Sequence, residues 1–179
     1  TYAFLLVMAL IVLFPFYWMI ISSLKSLAEY RQAIPTFWPN QIHFENYAEA
    51  FKWFHYAALQ QYAEGQYRVG LCYYLGEGVE QNFQQAVKWY TLAAEQGHVV
   101  AQYELALCYD NGEGVEQDLS MAAKWYLAAA EQGHTSAQYN IGVCYEYGDG
   151  VEQDLSQALS WYLKAKDDPL AQYKIATFY

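Results

Sequence analysis

The chain is short of basic residues, of cysteine and of any clustered catalytic set, and each shortage narrows what it does. Its 179 residues carry nine Lys and Arg against 19 Asp and Glu, a formal net charge of −10. A nucleic-acid surface needs positive charge to release phosphate counterions, so this balance argues against one. From Phe51 onward there are 16 acidic and seven basic residues, which places nearly all the excess in the later part of the chain. A cationic partner is electrostatically favoured there, although acidity on this scale also serves plain solubility. The three cysteines, Cys72, Cys108 and Cys144, recur at an interval of 36. Equivalent positions on stacked helices lie on the order of 9–10 Å apart, beyond the ~7 Å between Cα atoms that a disulfide tolerates. They read as small buried hydrophobes and leave the redox compartment open.

Catalytic and metal chemistry find little support. His98 and His134 have no second ligand in their own units, and a surface or capping role is the default. Ser120, Ser156 and Ser160 lack a repeating His/Asp constellation, so nucleophilic catalysis has no basis. Asp167 and Asp168 adjoin Pro169 and read as solvated turn acids. No enzymatic activity, no cofactor, no metal and no small-molecule substrate are expected.

Repetition is what the sequence has in abundance. Trp53, Trp89, Trp125 and Trp161 are each 36 residues apart, and the glycine pairs Gly76/Gly78, Gly112/Gly114 and Gly148/Gly150 keep the same beat. A fixed period of this length signals a solenoid built from one supersecondary unit. Within the unit, Ala101, Leu105, Ala106, Cys108 and Tyr109 form a helical stripe. NGEGVEQD follows, its two glycines breaking the helix. The acidic residue between them (Glu77, Glu113 or Asp149) speaks against a phosphate loop. Asp118 stands where an N-cap belongs, as do Asn82 and Asp154 in the neighbouring units. A second helix, Leu119 to about Glu131, sets Ala122, Trp125, Tyr126 and Ala129 on one face, and Gly133 closes it as Gly97 closes the one before. The expected fold class is all-α, a stack of antiparallel helix pairs.

The consensus AQYxLGxCYxxGxGVxQDxxxAxxWYxxAAEQGH resembles the Sel-one-like repeat, a relative of the tetratricopeptide repeat, over about 46–179. The resemblance implies a right-handed α/α solenoid of about three and a half repeats, cut short at the C-terminus, that binds other proteins or peptides without catalysis. Related cysteine-rich repeats carry two cysteines per unit, and this chain has one. Two departures weaken the first hairpin on this reading. Gln61 stands where later units have Gly97 and Gly133, and Gly65 replaces the alanine of Ala101 and Ala137, at ~1 kcal/mol for a mid-helix glycine.

The first 24 residues contain no charge, and Phe4 to Ile21 is an apolar run of 18 residues. With its flanks it approaches the ~20 residues of a spanning helix, and Pro15 is tolerated in such segments. One transmembrane helix over 1–24 and a linker or extracytoplasmic-loop-like segment over 25–45 are therefore expected ahead of the solenoid. The motifs FPFYWM, SSLK and ENYxEAF within 1–51 resemble the start of an inner-membrane permease subunit of a carbohydrate ABC importer. That resemblance implies a bacterial inner-membrane location and, as an alternative function, a truncated permease fused to an unrelated repeat region. Lys25 and Arg31 mildly favour the opposite orientation, with the solenoid on the cytoplasmic side.

Positions constant from unit to unit, such as Leu105, Ala106, Tyr109 and Trp125, are expected to hold each hairpin together. Positions that vary are free to face a partner. These are Arg68, Glu104, Asn140 and Lys174, and then Tyr74, Asp110 and Glu146. The recurring tyrosines Tyr67, Tyr103, Tyr139 and Tyr173 either form a ladder along the concave first-helix surface or pack between repeats. The candidate partner-binding face is thus Tyr67, Arg68, Tyr74, Tyr103, Glu104, Asp110, Tyr139, Asn140 and Glu146.

Overall fold

Helix-stop glycines and helix-start side chains alternate along the chain, and the computed structural model, which describes residues 45–178, follows that punctuation. The expected spanning helix over 1–24 and nearly all of the linker over 25–45 lie outside the described residues. Among the described residues there are eight helices and no strand: α1 Glu45–Leu59, α2 Ala63–Leu75, α3 Phe83–Glu95, α4 Val99–Asn111, α5 Leu119–Glu131, α6 Thr135–Tyr147, α7 Leu155–Lys164 and α8 Pro169–Thr177. Residues from Ala50 onward form one compact unit. Helices α2/α3, α4/α5 and α6/α7 are hairpins, and α3 and α5 each pack on the following first helix as well as on their own partner. None of these helices is long and apolar enough to cross a membrane.

The loop NGEGVEQD works as a rigid corner. Gly112 adopts φ +72 in the left-handed region, where any side chain would be strained. Its N–H donates to the Cys108 carbonyl and so satisfies one of the open acceptors at the end of α4. Gly76 and Gly148 do the same on the Cys72 and Cys144 carbonyls at 2.8 Å. The second glycine serves a different purpose: a Cβ at Gly114 would lie 2.4 Å from the Phe83 carbonyl, so the loop of one hairpin rests directly on the start of the second helix before it. Asp118 then caps α5 by accepting from the N–H groups of Ser120 and Met121 at 3.0 Å. Asn82 and Asp154 cap α3 and α7.

The core repeats with the sequence. Tyr90, Tyr126 and Tyr162 are 0%, 1% and 0% exposed and are the largest fully buried side chains of their hairpins. Small residues let backbones approach around them, notably Ala86, Ala122 and Ala158 on the second helices and Ala101, Ala137 and Ala171 on the first. Tryptophan is less central than its period suggests. Trp161 is buried, Trp89 and Trp125 are half-buried, and Trp53 is 68% exposed. The cysteines are free and buried, as their spacing predicts.

Gly65 does more than cost helix propensity. A Cβ there would fall 2.8 Å from the Ala57 Cβ and 2.9 Å from the Ala58 nitrogen, so the close crossing of α1 and α2 excludes any side chain. Gln61, in contrast, is a misfit where it stands. It is the one non-glycine residue with positive φ among those described, at φ 61.

Candidate functional site

The first helices α2, α4, α6 and α8 meet one another through side chains, and this leaves three grooves between successive members. In the groove between α2 and α4, Tyr67 stacks on His98 at 4.8 Å and faces Tyr90 at 6.0 Å. His98 caps α4 by accepting from the Ala101 N–H through Nδ1, while its Nε2 meets Glu64 at 2.9 Å. Glu64 also holds Arg68 at 2.6 Å. His98 and Arg68 together draw the Glu64 carboxyl below its ordinary range. The Tyr74 hydroxyl donates to Glu113 at 2.8 Å, a bond that pushes its pKa up to about 12.

Glu104 on α4 is half-buried, and burial pushes its carboxyl above the ordinary range. Its charge is felt by the phenols of Tyr67, Tyr90 and Tyr103, each raised first by burial and then by Glu104.

The second groove, between α4 and α6, repeats the scaffold with different chemistry. Tyr103 stacks on His134 at 4.4 Å and approaches Tyr126 at 6.0 Å. His134 caps α6 through Nδ1. Asp110 accepts the Tyr126 hydroxyl at 3.0 Å. Beside that bond lies a cavity of about 140 Å³ lined by Asp110, Tyr126 and Leu119 on one side and Asn140, Val143 and Asp149 on the other. In the third groove, between α6 and α8, Tyr139 approaches Tyr162 at 5.8 Å. Glu146 there accepts from the Tyr162 hydroxyl and pairs with the Lys174 ammonium at 2.8 Å. Burial alone would raise Glu146, but the hydrogen bonds from Lys174 and Tyr162 outweigh it and hold the carboxyl low.

The residues named from sequence therefore sort into two groups. Tyr67, Tyr103 and Tyr139 pack between repeats through much of their ring area, while Tyr173 is 70% exposed on α8. Arg68, Tyr74, Glu104, Asp110, Asn140 and Glu146 lie at the groove rims, in two sets that face each other: Tyr74 near Glu104, Asp110 beside Asn140, and Glu146 on Lys174. Sequence reasoning treated both sets as open to a partner and missed that some satisfy one another. The opposed charges of Glu146 and Lys174 at groove-facing positions were the signal. It also missed Glu64 and Glu113, which orient His98 and Tyr74.

Nothing in this face resembles a reactive centre. Burial pushes the Cys108 and Cys144 thiols up to about 12, so neither is a thiolate at neutral pH. No group of metal-ligating side chains occurs among the described residues.

Stacked hairpins with a constant core and a variable first-helix face define an α-solenoid of helical-hairpin repeats. The chain belongs to the Sel1 repeat family, whose model matches residues 43–62, 63–98, 99–134 and 135–168. Proteins built of this repeat are generally non-enzymatic protein-interaction scaffolds. The chain is similar to a protective antigen of uropathogenic Escherichia coli strains that displays an SLR fold, with 40% identity and a TM-score of 0.66 over 74% of this chain and 27% of that one. It is similar also to a Sel1 repeat protein of Oxalobacter formigenes, with 36% identity and a TM-score of 0.71 over 75% of this chain and 55% of that one. Helicobacter pylori cysteine rich protein B shares the fold at 22% identity and a TM-score of 0.56, over 72% of this chain and 94% of that one. The chain thus spans about a quarter and about half of the first two structures. A search of curated proteins gave no match. The first matched repeat begins at residue 43, inside the permease-like stretch 1–51, and the permease resemblance finds no support in these comparisons.

Proposed function

We propose that this chain is a non-catalytic scaffold whose first-helix grooves bind a segment of another protein. One observation carries the reading. At a single structural position on successive first helices the chain places Arg68, Glu104, Asn140 and Lys174, while the buried tyrosine beneath stays the same in every hairpin. A position that only supported packing would be held to one chemistry, and a position that reads a ligand along its length is free to vary. The half-buried tyrosines add contact area at low entropic cost.

The test is selection of binding peptides from a displayed random library with the purified full chain. Enriched peptides should lose roughly tenfold or more in affinity for Glu104→Arg, whose melting temperature should stay close to that of the wild type. Failure of any peptide to enrich, or equal binding by the variant, would overturn the reading.

The apolar run Phe4 to Ile21 supports the further proposal that the scaffold is tethered to a membrane. Fractionation of cells expressing the full chain tests this, and recovery in the soluble fraction after removal of aggregates refutes it.

A further inference from the structure

The three grooves share equivalent positions, Tyr74, Asp110 and Glu146 on one helix and Glu104, Asn140 and Lys174 on the next, so they can be compared position by position. In the third, a cation already sits against the carboxylate. The Lys174 ammonium lies 2.9 and 2.8 Å from the two Glu146 oxygens and 3.1 Å from the Tyr147 hydroxyl. Both side chains are 17% exposed, so the pair is part-buried. In the first, the counterpart of Glu146 is Tyr74, whose hydroxyl crosses to Glu113 and leaves no free carboxylate at that position.

The second groove has the carboxylate without the cation. Asp110 occupies the place of Glu146, accepting from Tyr126 as Glu146 accepts from Tyr162. Asn140 occupies the place of Lys174. Asp149 occupies the place of Glu113, but Asp110 is too short to reach it as Tyr74 reaches Glu113. What remains between them is the cavity of about 140 Å³, lined by Asp110, Asp149 and Asn140 and by the apolar Val143 and Leu119, with the Asn140 side chain also within reach of the Tyr103 and Tyr126 hydroxyls. Among the described residues no Lys or Arg pairs with either acid.

We propose that this cavity receives a lysine side chain from the partner polypeptide, its ammonium held by Asp110 and Asn140 as Glu146 holds Lys174. The inference rests on the scaffold reading above and gives the partner a chemistry. The ammonium would meet one carboxylate and one neutral oxygen, the same set that Lys174 finds in Glu146 and Tyr147. Val143 and Leu119 would cover the methylenes, which favour apolar contact while the charged head stays hydrogen-bonded. The net charge of −10 draws such a partner in.

The experiment titrates the full chain, in detergent micelles as needed, with the short peptide acetyl-Gly-Gly-Lys-Gly-Gly-amide and with its norleucine counterpart. The readout is the NMR signal of the Asn140 side-chain amide. The lysine peptide should give a saturable shift that weakens with added salt, and the norleucine peptide should give none. Asn140→Lys supplies the occupant from within, and its shift response at neighbouring Val143 should fall roughly tenfold or more. Asp110→Asn keeps an acceptor for Tyr126 and removes the charge, so it should bind comparably poorly while remaining folded. Equal shifts with both peptides, or an undiminished response in Asn140→Lys, would overturn the assignment. Those results would leave the scaffold reading standing, because library selection through the whole face decides that separately.

Discussion

Gln61 and Tyr90 are two residues at which the repeat is locally out of tune with its own structure. Gln61 holds φ 61 where Gly97 and Gly133 hold φ 84 and 90 in the equivalent turns. A side chain in that region costs about 1–2 kcal/mol. Gln61→Gly should therefore raise stability by about 1 kcal/mol, net of the entropy that glycine adds to the unfolded chain, as read from urea unfolding. A fall in stability would mean that the Gln61 side chain makes a contact worth more than the strain. The Tyr90 hydroxyl is buried with no hydrogen-bond partner, because Tyr74 stands where Asp110 and Glu146 accept from Tyr126 and Tyr162. Tyr90→Phe should thus be neutral or mildly stabilising, whereas Tyr126→Phe should cost about 1–2 kcal/mol by stripping a donor from Asp110. Equal costs for the two would show that the hydroxyls do not govern the difference. The orphaned phenol was invisible in sequence, since the recurring Tyr at 90, 126 and 162 conceals which of them has an acceptor.

At the scale of single helices the sequence was most legible, because caps and stops are local events. Asn82, Asp118 and Asp154 cap as their position before an apolar stripe implies. For the histidines the sequence left a surface or a capping role open, and the structure decides for the cap: His98 and His134 each accept a backbone N–H through Nδ1. This makes the α6 cap sensitive to pH. Burial holds the His134 imidazole below its ordinary value of 6.5. Below pH 6.5 the unfolded chain takes up a proton that the folded cap resists, so stability is full above that value and is lost as pH falls further. His134→Asn keeps a capping oxygen without the titration. Its melting temperature should fall less than that of the wild type between pH 7 and pH 5, and parallel curves would remove His134 as a cause. Gly65 shows the limit of propensity arguments at this scale. Its helix cost was readable, but the Ala57 backbone that forbids a side chain there comes from another helix.

For the molecule as a whole, charge is the property that outruns any single contact. With 16 acidic and seven basic residues after Phe51, few of the acids have a cationic partner, and the solenoid repels itself. Raising sodium chloride from about 20 mM to 300 mM shortens the Debye length to well under 10 Å, so the melting temperature should rise. A decrease would mean that pairs such as Glu146–Lys174 outweigh the repulsion. The thirty-six-residue period by itself determined the helical-hairpin stack, its capping residues and its buried tyrosines, because helix stops, caps and apolar stripes depend on neighbours a few residues away. Only tertiary structure decided which groove-facing side chains are free. Glu146 and Lys174 are 28 residues apart and neutralise one another, while Asp110 and Asn140 line a cavity with no cation between them. That distinction arises where one hairpin is laid on the next, and contact across a stack depends on how closely backbones approach and how far each side chain reaches.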